Sequence, residues 1–107
     1  MNAARIEYAP TGEQLDLIER FLVAFNKIEN HLRQQLKEPS ETSFRKLVDQ
    51  IGEKQPVWYQ RNGSQLRAFA DLRNALVHMR YDRKQYLSVP LPQVVERMEQ
   101  ISDSVTR

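Results

Sequence analysis

Apolar residues recur at helical spacing in several separate segments of the chain. Between Thr11 and about Lys37 they return every three or four positions, which predicts a long amphipathic helix. Thr11 with Gln14 three residues later forms a capping box, the usual start of such a helix. The apolar stripe consists of Leu15, Ile18, Leu22, Phe25, Leu32 and Leu36.

A shorter amphipathic segment follows the break at Pro39 and Ser40. Its inward positions are Phe44, Leu47, Val48 and Ile51. Gly52 is predicted to end this second helix, since glycine is the commonest helix stop. Residues 53–63 then read as a polar connector, and Asn62-Gly63-Ser64 as a turn that ends in an N-cap.

Two more helices complete the pattern. The third is predicted from Ser64 to about Val77, and the last from Pro92 to about Ser104, with a polar loop over 82–91 between them. Residues 1–10 are expected to form an arm that packs on a neighbouring chain. The sequence therefore predicts an all-α fold, an up-and-down bundle of four main helices with mostly antiparallel neighbours.

Length and composition narrow the class of protein. The 107 residues suffice for one domain with one core. The chain has no cysteine and only two well-separated histidines, so neither a disulfide nor a metal centre is expected, and no cofactor motif is present. No run of about 18 apolar residues and no apolar signal core occur, which predicts a cytoplasmic protein that does not enter the membrane.

The third helix carries a chemical pattern that a plain scaffold does not need. Arg73, Asn74 and His78 stand at the end of its apolar run. A guanidinium matches a phosphate in shape and charge, and an imidazole gives or takes a proton near neutral pH. Together they are the minimum set for cleaving RNA without a metal, one group moving the 2′-hydroxyl proton and the other stabilising charge on the phosphate.

The spacing between Arg73 and His78 constrains how they could meet. Five residues along a regular helix leave them roughly 140° apart around its axis. Either the helix ends or bulges near Val77, or Arg73 of one chain meets His78 of another across a two-fold axis. The second arrangement is favoured.

Charge is concentrated around this pattern. The net charge is only +2, but residues 61–84 hold six basic side chains against two acidic ones. Such a local excess suits a phosphate-rich partner, although clustered arginines are also an ordinary solvated surface. The neighbouring pair Trp58 and Tyr59 could stack an unpaired base or pack on the end of the bundle.

Glu29 interrupts the apolar stripe of the first helix. A carboxylate there must find a partner, since burying it alone is costly. One hypothesis is that Glu29 holds the Arg73 guanidinium or the His78 ring in its working orientation. The alternative is that Ile28 takes the core position and Glu29 faces water.

Arg73-Asn74, three further residues and His78 resemble the R-[polar]-x-x-x-H signature of the HEPN superfamily of small helical domains. The resemblance implies a metal-independent RNase working as a homodimer, with Arg73 and His78 catalytic and with Asn74, Glu29 and Tyr81 in support. It also implies an antitoxin partner or an appended sensor domain. Flanking RNA phosphates would be held by Arg67, Arg80 and Arg83.

One further feature departs from the family pattern and another extends the resemblance. Some HEPN toxins have a regulatory tyrosine two places after the motif histidine; here that place is Arg80 and the tyrosine, Tyr81, comes one later. The tail over 87–105 resembles HEPN modules placed before CBS-domain pairs in bacterial proteins, which implies that the chain is part of a longer polypeptide. The alternative function is then a non-catalytic dimerising module that binds a nucleotide and regulates an attached domain or partner.

Overall fold

The computed structural model describes residues 3–6, 11–81 and 87–105, with the backbone alone at 5–6, 77–81 and 87–88. In chain order the elements are β1 (Ala3–Ile6), α1 (Gly12–Leu36), α2 (Phe44–Lys54), α3 (Pro56–Tyr81), β2 (Leu87–Pro90) and α4 (Pro92–Val105). The described part of the chain is thus mostly helical, with four helices, as predicted. None of these described helices combines the length and apolar character needed to cross a bilayer.

The first helix begins as predicted, and its buried face overlaps the predicted stripe only in part. The Thr11 hydroxyl accepts from the Gln14 N–H, and the Gln14 side chain accepts from the Thr11 N–H, so the capping box is confirmed. The predicted stripe is only partly right, because Leu15 is 52% exposed and the residues it omitted are in the core. The buried residues of α1 are Phe21, Ala24, Phe25, Ile28 and Leu32.

The break predicted between the second and third helices is wrong. α2 continues past Gly52 to Lys54, and α3 begins two residues later at Pro56, a residue suited to the first turn of a helix. The predicted connector over 53–63 is therefore helical, and Gly63 lies inside α3. Both glycines are sites of close packing, because a β-carbon at position 52 would lie 2.6 Å from Cδ2 of Tyr59, and one at position 63 would lie 3.0 Å from the same ring.

We expect Gly52→Ala to destabilise the protein by about 1–3 kcal/mol, because the added methyl overpacks against the Tyr59 ring. Alanine also has a helix propensity about 1 kcal/mol better than glycine, which offsets part of this cost. Chemical denaturation would measure the change. In a Tyr59→Leu background the same substitution should become neutral or stabilising; an equal cost in both backgrounds would contradict the packing explanation.

The helices run alternately up and down. Arg45 pairs with Asp71 and Arg67 with Asp49, so α2 and α3 are antiparallel. Phe21 meets Phe69 at a ring separation of 6.2 Å, and Phe25 meets Arg73 farther along both helices, so α1 and α3 point the same way. This arrangement brings the middle of α1 against the part of α3 that carries the Arg73 motif.

The last helix, α4, begins at Pro92 as predicted and ends at Val105, one residue beyond the predicted end. Val94, Val95, Met98 and Ile101 are buried against the core. On its outer side Arg20 of α1 donates two hydrogen bonds to the Glu99 carboxylate, which raise the pKa of the Arg20 guanidinium above its ordinary value. α4 is therefore joined to α1 by both apolar and ionic contacts.

A short sheet that the sequence did not predict joins two distant parts of the chain. Ala3–Ile6 pairs antiparallel with Leu87–Pro90, so that Ala3 lies opposite Pro90. β2 contacts both α1 and α3. The described part of the N-terminal arm thus pairs within its own chain, and the end of the predicted loop over 82–91 is a strand; residues 82–86 lie outside the described residues.

Candidate active site

The Arg73 side chain is held by three neighbours. Its guanidinium carbon lies 4.6 Å from the centre of the Phe25 ring, and its Nε donates a hydrogen bond of 3.0 Å to Oδ1 of Asn74. Its Nη1 is 4.0 Å from Oε2 of Glu29. An aromatic face, an amide oxygen and a carboxylate are all favourable partners for a guanidinium. The cation is therefore positioned before any ligand arrives.

Glu29 stands between two arginines. Besides Arg73, its Oε2 lies 3.5 Å from Nη2 of Arg33, one helical turn along α1. Arg33 also donates hydrogen bonds to the backbone oxygens of Pro39 and Thr42, at 2.7 and 2.9 Å. The carboxylate that faces Arg73 is thus fixed through Arg33 to the loop between α1 and α2.

Both alternatives proposed for Glu29 hold in part. Ile28 takes the core position and is fully buried. Glu29 nevertheless does not simply face water, since its side chain is only 20% exposed and lies beside Arg73. The predicted contact between Glu29 and Arg73 is present within one chain.

Arg73 keeps hydrogen-bonding capacity for a ligand. A guanidinium has five N–H donors. Among the described residues Asn74 accepts from one of those of Arg73, and Glu29 lies at the long limit of an ion pair. The side chain is 25% exposed, so part of the fork reaches the surface. This geometry suits an oxyanion such as a phosphate, which accepts two parallel N–H bonds.

The helix does not end or bulge near Val77, so that explanation of the Arg73–His78 spacing is wrong. α3 is α-helical through to Tyr81. Positions 73 and 78 therefore differ by about 140° around one regular axis and by about 7.5 Å along it. Positions 74 and 78 are one turn apart and share a face. The side chains of His78, Arg80 and Tyr81, and all of Arg83, lie outside the described residues.

Arg67 is not close to this cluster. It stands six positions before Arg73, which puts the two about 120° apart around α3. Its guanidinium pairs with Asp49 of α2 and lies 5.3 Å from the centre of the Tyr59 ring. A phosphate bound by Arg67 would have to compete with that carboxylate. Part of the positive charge seen in the sequence is thus paired across the α2–α3 interface.

Two residues of the cluster were missed in the sequence. Arg33 could have been found, because it follows Glu29 at the spacing that favours a carboxylate–cation pair on one helix. Phe25 was assigned to the core but not to the site. Its ring belongs to both the core and the site. The centre of the Phe25 ring lies 4.4 Å from the centre of the Phe44 ring, and the Arg73 guanidinium lies over the Phe25 ring as well.

We expect Glu29→Gln to leave the fold largely intact and to release Arg73. The ion pairs involved are long and partly exposed, so the loss of stability should be about 1 kcal/mol or less. If Arg73 binds a phosphate, its affinity for an anion should also change, which titration with inorganic phosphate would measure. Glu53→Gln, the same change at an exposed position of α2 without an ion pair among the described residues, is the matched control; equal behaviour of both variants would contradict a specific role for Glu29.

Comparison of the chain with models of protein families, with curated protein sequences and with solved structures finds no match. Within residues 3–6, 11–81 and 87–105, no group of three or more histidine, aspartate or glutamate side chains is arranged to hold a metal ion. Inferences about function therefore rest on the Arg73 cluster itself.

Proposed function

We propose that this protein is a metal-independent endoribonuclease of HEPN type, acting in a cleft between two copies of the chain. His78 would be the general acid–base, Arg73 the cation on the scissile phosphate, and Asn74 a residue that orients the ligand. The observation that carries the proposal is the fixed guanidinium of Arg73, held by Phe25, Glu29 and Asn74 with N–H groups to spare.

The proposed reaction is an attack of the RNA on its own backbone. His78 takes the proton of the 2′-hydroxyl, and the resulting oxygen bonds to the adjacent phosphorus. The bond from phosphorus to the 5′-oxygen of the next nucleotide breaks, and that oxygen takes up a proton. The products end in a 2′,3′-cyclic phosphate and a 5′-hydroxyl. Arg73 stabilises the extra negative charge on the phosphate oxygens during this exchange.

The regular helix supports a composite site. Positions 73 and 78 are about 140° apart around the axis of α3, which favours two groups supplied by different chains over two supplied by one. A two-fold axis near this part of α3 would bring Arg73 of one protomer to His78 of its partner. The proposal therefore includes a homodimer.

Incubation of the purified chain with total RNA tests the proposal. We expect cleavage that a chelator does not inhibit and that Arg73→Ala and His78→Ala abolish, with cyclic phosphate on the product ends. Lys46→Ala, which removes an exposed cation from α2, should cleave normally. No cleavage by the unmodified chain, or cleavage that survives both substitutions, would overturn the proposal.

The ion pair between Glu29 and Arg73 favours one alternative. The Glu29 carboxylate partly neutralises the Arg73 guanidinium, as is expected where an arginine has a structural or regulatory role. The chain would then be a non-catalytic, HEPN-like dimerising module that binds a nucleotide and regulates an attached domain or partner. In the enzymatic case, a toxin, defence or RNA-processing role in the cytoplasm, controlled by an antitoxin or appended sensor, is part of the proposal.

A further inference from the structure

A second cationic site lies at the other end of α3. The first turns of α3 and the facing side of α4 line an open groove of about 570 Å³, here called the α3–α4 groove. Among its lining residues are Trp58, Arg61, Asn62, Arg97, Gln100 and Ser104. Position 61 precedes Arg73 by 12 residues, or about 18 Å along the helix, so the groove is separate from the Arg73 cluster.

The groove carries positive charge that no carboxylate among the described residues offsets. Arg61 and Arg97 both line it, and no described aspartate or glutamate does. Arg20, Arg33, Arg45, Arg67 and Arg73 each have a carboxylate partner. Arg61 and Arg97 have none within the described part of the chain. Two unpaired guanidiniums facing one groove favour an anionic ligand.

Arg97 is held in place by amides. Its Nε donates to Oε1 of Gln65 and its Nη2 to Oδ1 of Asn62, both at 2.9 Å. Asn62 is only 7% exposed, and its own amide nitrogen donates to the backbone oxygen of Trp58. Neutral acceptors fix the guanidinium without cancelling its charge. Such an arginine is ready to bind a phosphate.

An aromatic and apolar wall lies beside these cations. Trp58 lines the groove together with Pro56 and Val57, and Val57 is one of the most exposed large apolar residues described. The indole Nε1 of Trp58 is buried, so the part of this half-buried side chain that a ligand in the groove could contact is its apolar ring surface.

We infer that the α3–α4 groove binds a nucleotide, with its phosphate between Arg61 and Arg97 and its base against Trp58. The volume is within the range of small-ligand sites. Stacking on an aromatic ring next to a phosphate held by arginine is how unpaired nucleotides are bound in general. The nucleotide is either free or the 5′-phosphorylated end of an RNA strand.

Fluorescence of Trp58 tests this inference directly, because it is the only tryptophan in the chain. We expect AMP, or a short 5′-phosphorylated RNA, to change the emission and to saturate, whereas adenosine without a phosphate binds at least tenfold more weakly. Saturation by AMP identifies a free nucleotide as sufficient; saturation by the RNA alone identifies the strand end. No change with either would overturn the inference.

Variants locate the binding. Arg61→Ala should weaken it by at least about tenfold, since one charge-assisted hydrogen bond to a phosphate is lost. Arg97→Lys, which keeps the charge but not the fork, should weaken it as well. Lys46→Ala, the same change of charge away from the groove, should bind normally. Normal binding in Arg61→Ala, or equal weakening in Lys46→Ala, would place the nucleotide elsewhere and overturn the inference.

Discussion

A heterodimer of one Arg73→Ala chain and one His78→Ala chain is expected to cleave RNA at about half the rate of the unmodified dimer, although each variant alone is inactive. In a shared site, Arg73 of the second chain meets His78 of the first, so one of the two sites is complete. The other site lacks both groups. Each single variant should lose at least about 10²-fold, the usual effect of removing a general acid–base or a charge-stabilising donor.

Coexpression of the two variants with different affinity tags would give the heterodimer for this measurement. A heterodimer that carries both substitutions on one chain is the matched control. In a shared arrangement each of its sites lacks one group, so it should be inactive. If this control cleaves RNA and the heterodimer of Arg73→Ala with His78→Ala does not, each chain carries a complete site, contrary to the helix geometry described above.

Phe25→Ala is expected to lower the free energy of unfolding by about 3–5 kcal/mol, the largest stability effect predicted for a single residue of this chain. Phe25 is fully buried and contacts the rings of Phe21 and Phe44. Its removal leaves a cavity and forfeits the burial of an aromatic side chain. Chemical denaturation followed by circular dichroism would measure the change. Val23→Ala, at an exposed position of the same helix, should change stability by less than about 0.5 kcal/mol.

A milder pair of variants separates the two roles of Phe25. Phe25→Leu keeps an apolar core residue but removes the ring under the Arg73 guanidinium, whereas Phe44→Leu removes a neighbouring ring that has no described contact with Arg73. Both should lose similar stability. If the ring positions Arg73, only Phe25→Leu should also reduce RNA cleavage; equal cleavage by the two would contradict that role.

The helices could be predicted where the sequence signals are local. The capping box of Thr11 and Gln14, the stripe of α2 and the proline at the start of α4 all depend on residues a few positions apart, and the structure confirms them. The buried face of α1 was harder. Two apolar strips overlap on that helix, and only the positions of the other helices decide which of them forms the core.

The wrong predictions have two physical causes. Gly52 and Gly63 read as chain breaks, because glycine often ends helices. Glycine is instead needed at both positions because the Tyr59 ring packs where a side chain would be. The strands were missed because four residues give little pattern, because β2 contains a proline, and because each strand pairs with a segment at the far end of the sequence.

At the candidate site, the sequence supplied the residue types but only part of the arrangement. The unexpected carboxylate at position 29 pointed to Arg73, and the two side chains are in contact. The pairing of Arg67 with Asp49 could not be seen, since it depends on how α2 packs on α3. The net charge of residues 61–84 therefore overstated the positive charge available to a ligand, because the sequence does not show which arginines are paired with carboxylates of other helices.

The pairing of Ala3–Ile6 with Leu87–Pro90 has a consequence for the order of folding. The contacts of α1 with α2, and of α2 with α3, connect segments that are adjacent in sequence, so they can form early. The sheet of β1 and β2 instead joins two segments that nearly the whole chain separates, so its formation costs more loop entropy. Its backbone amides should therefore be the last to gain protection from exchange with solvent during refolding.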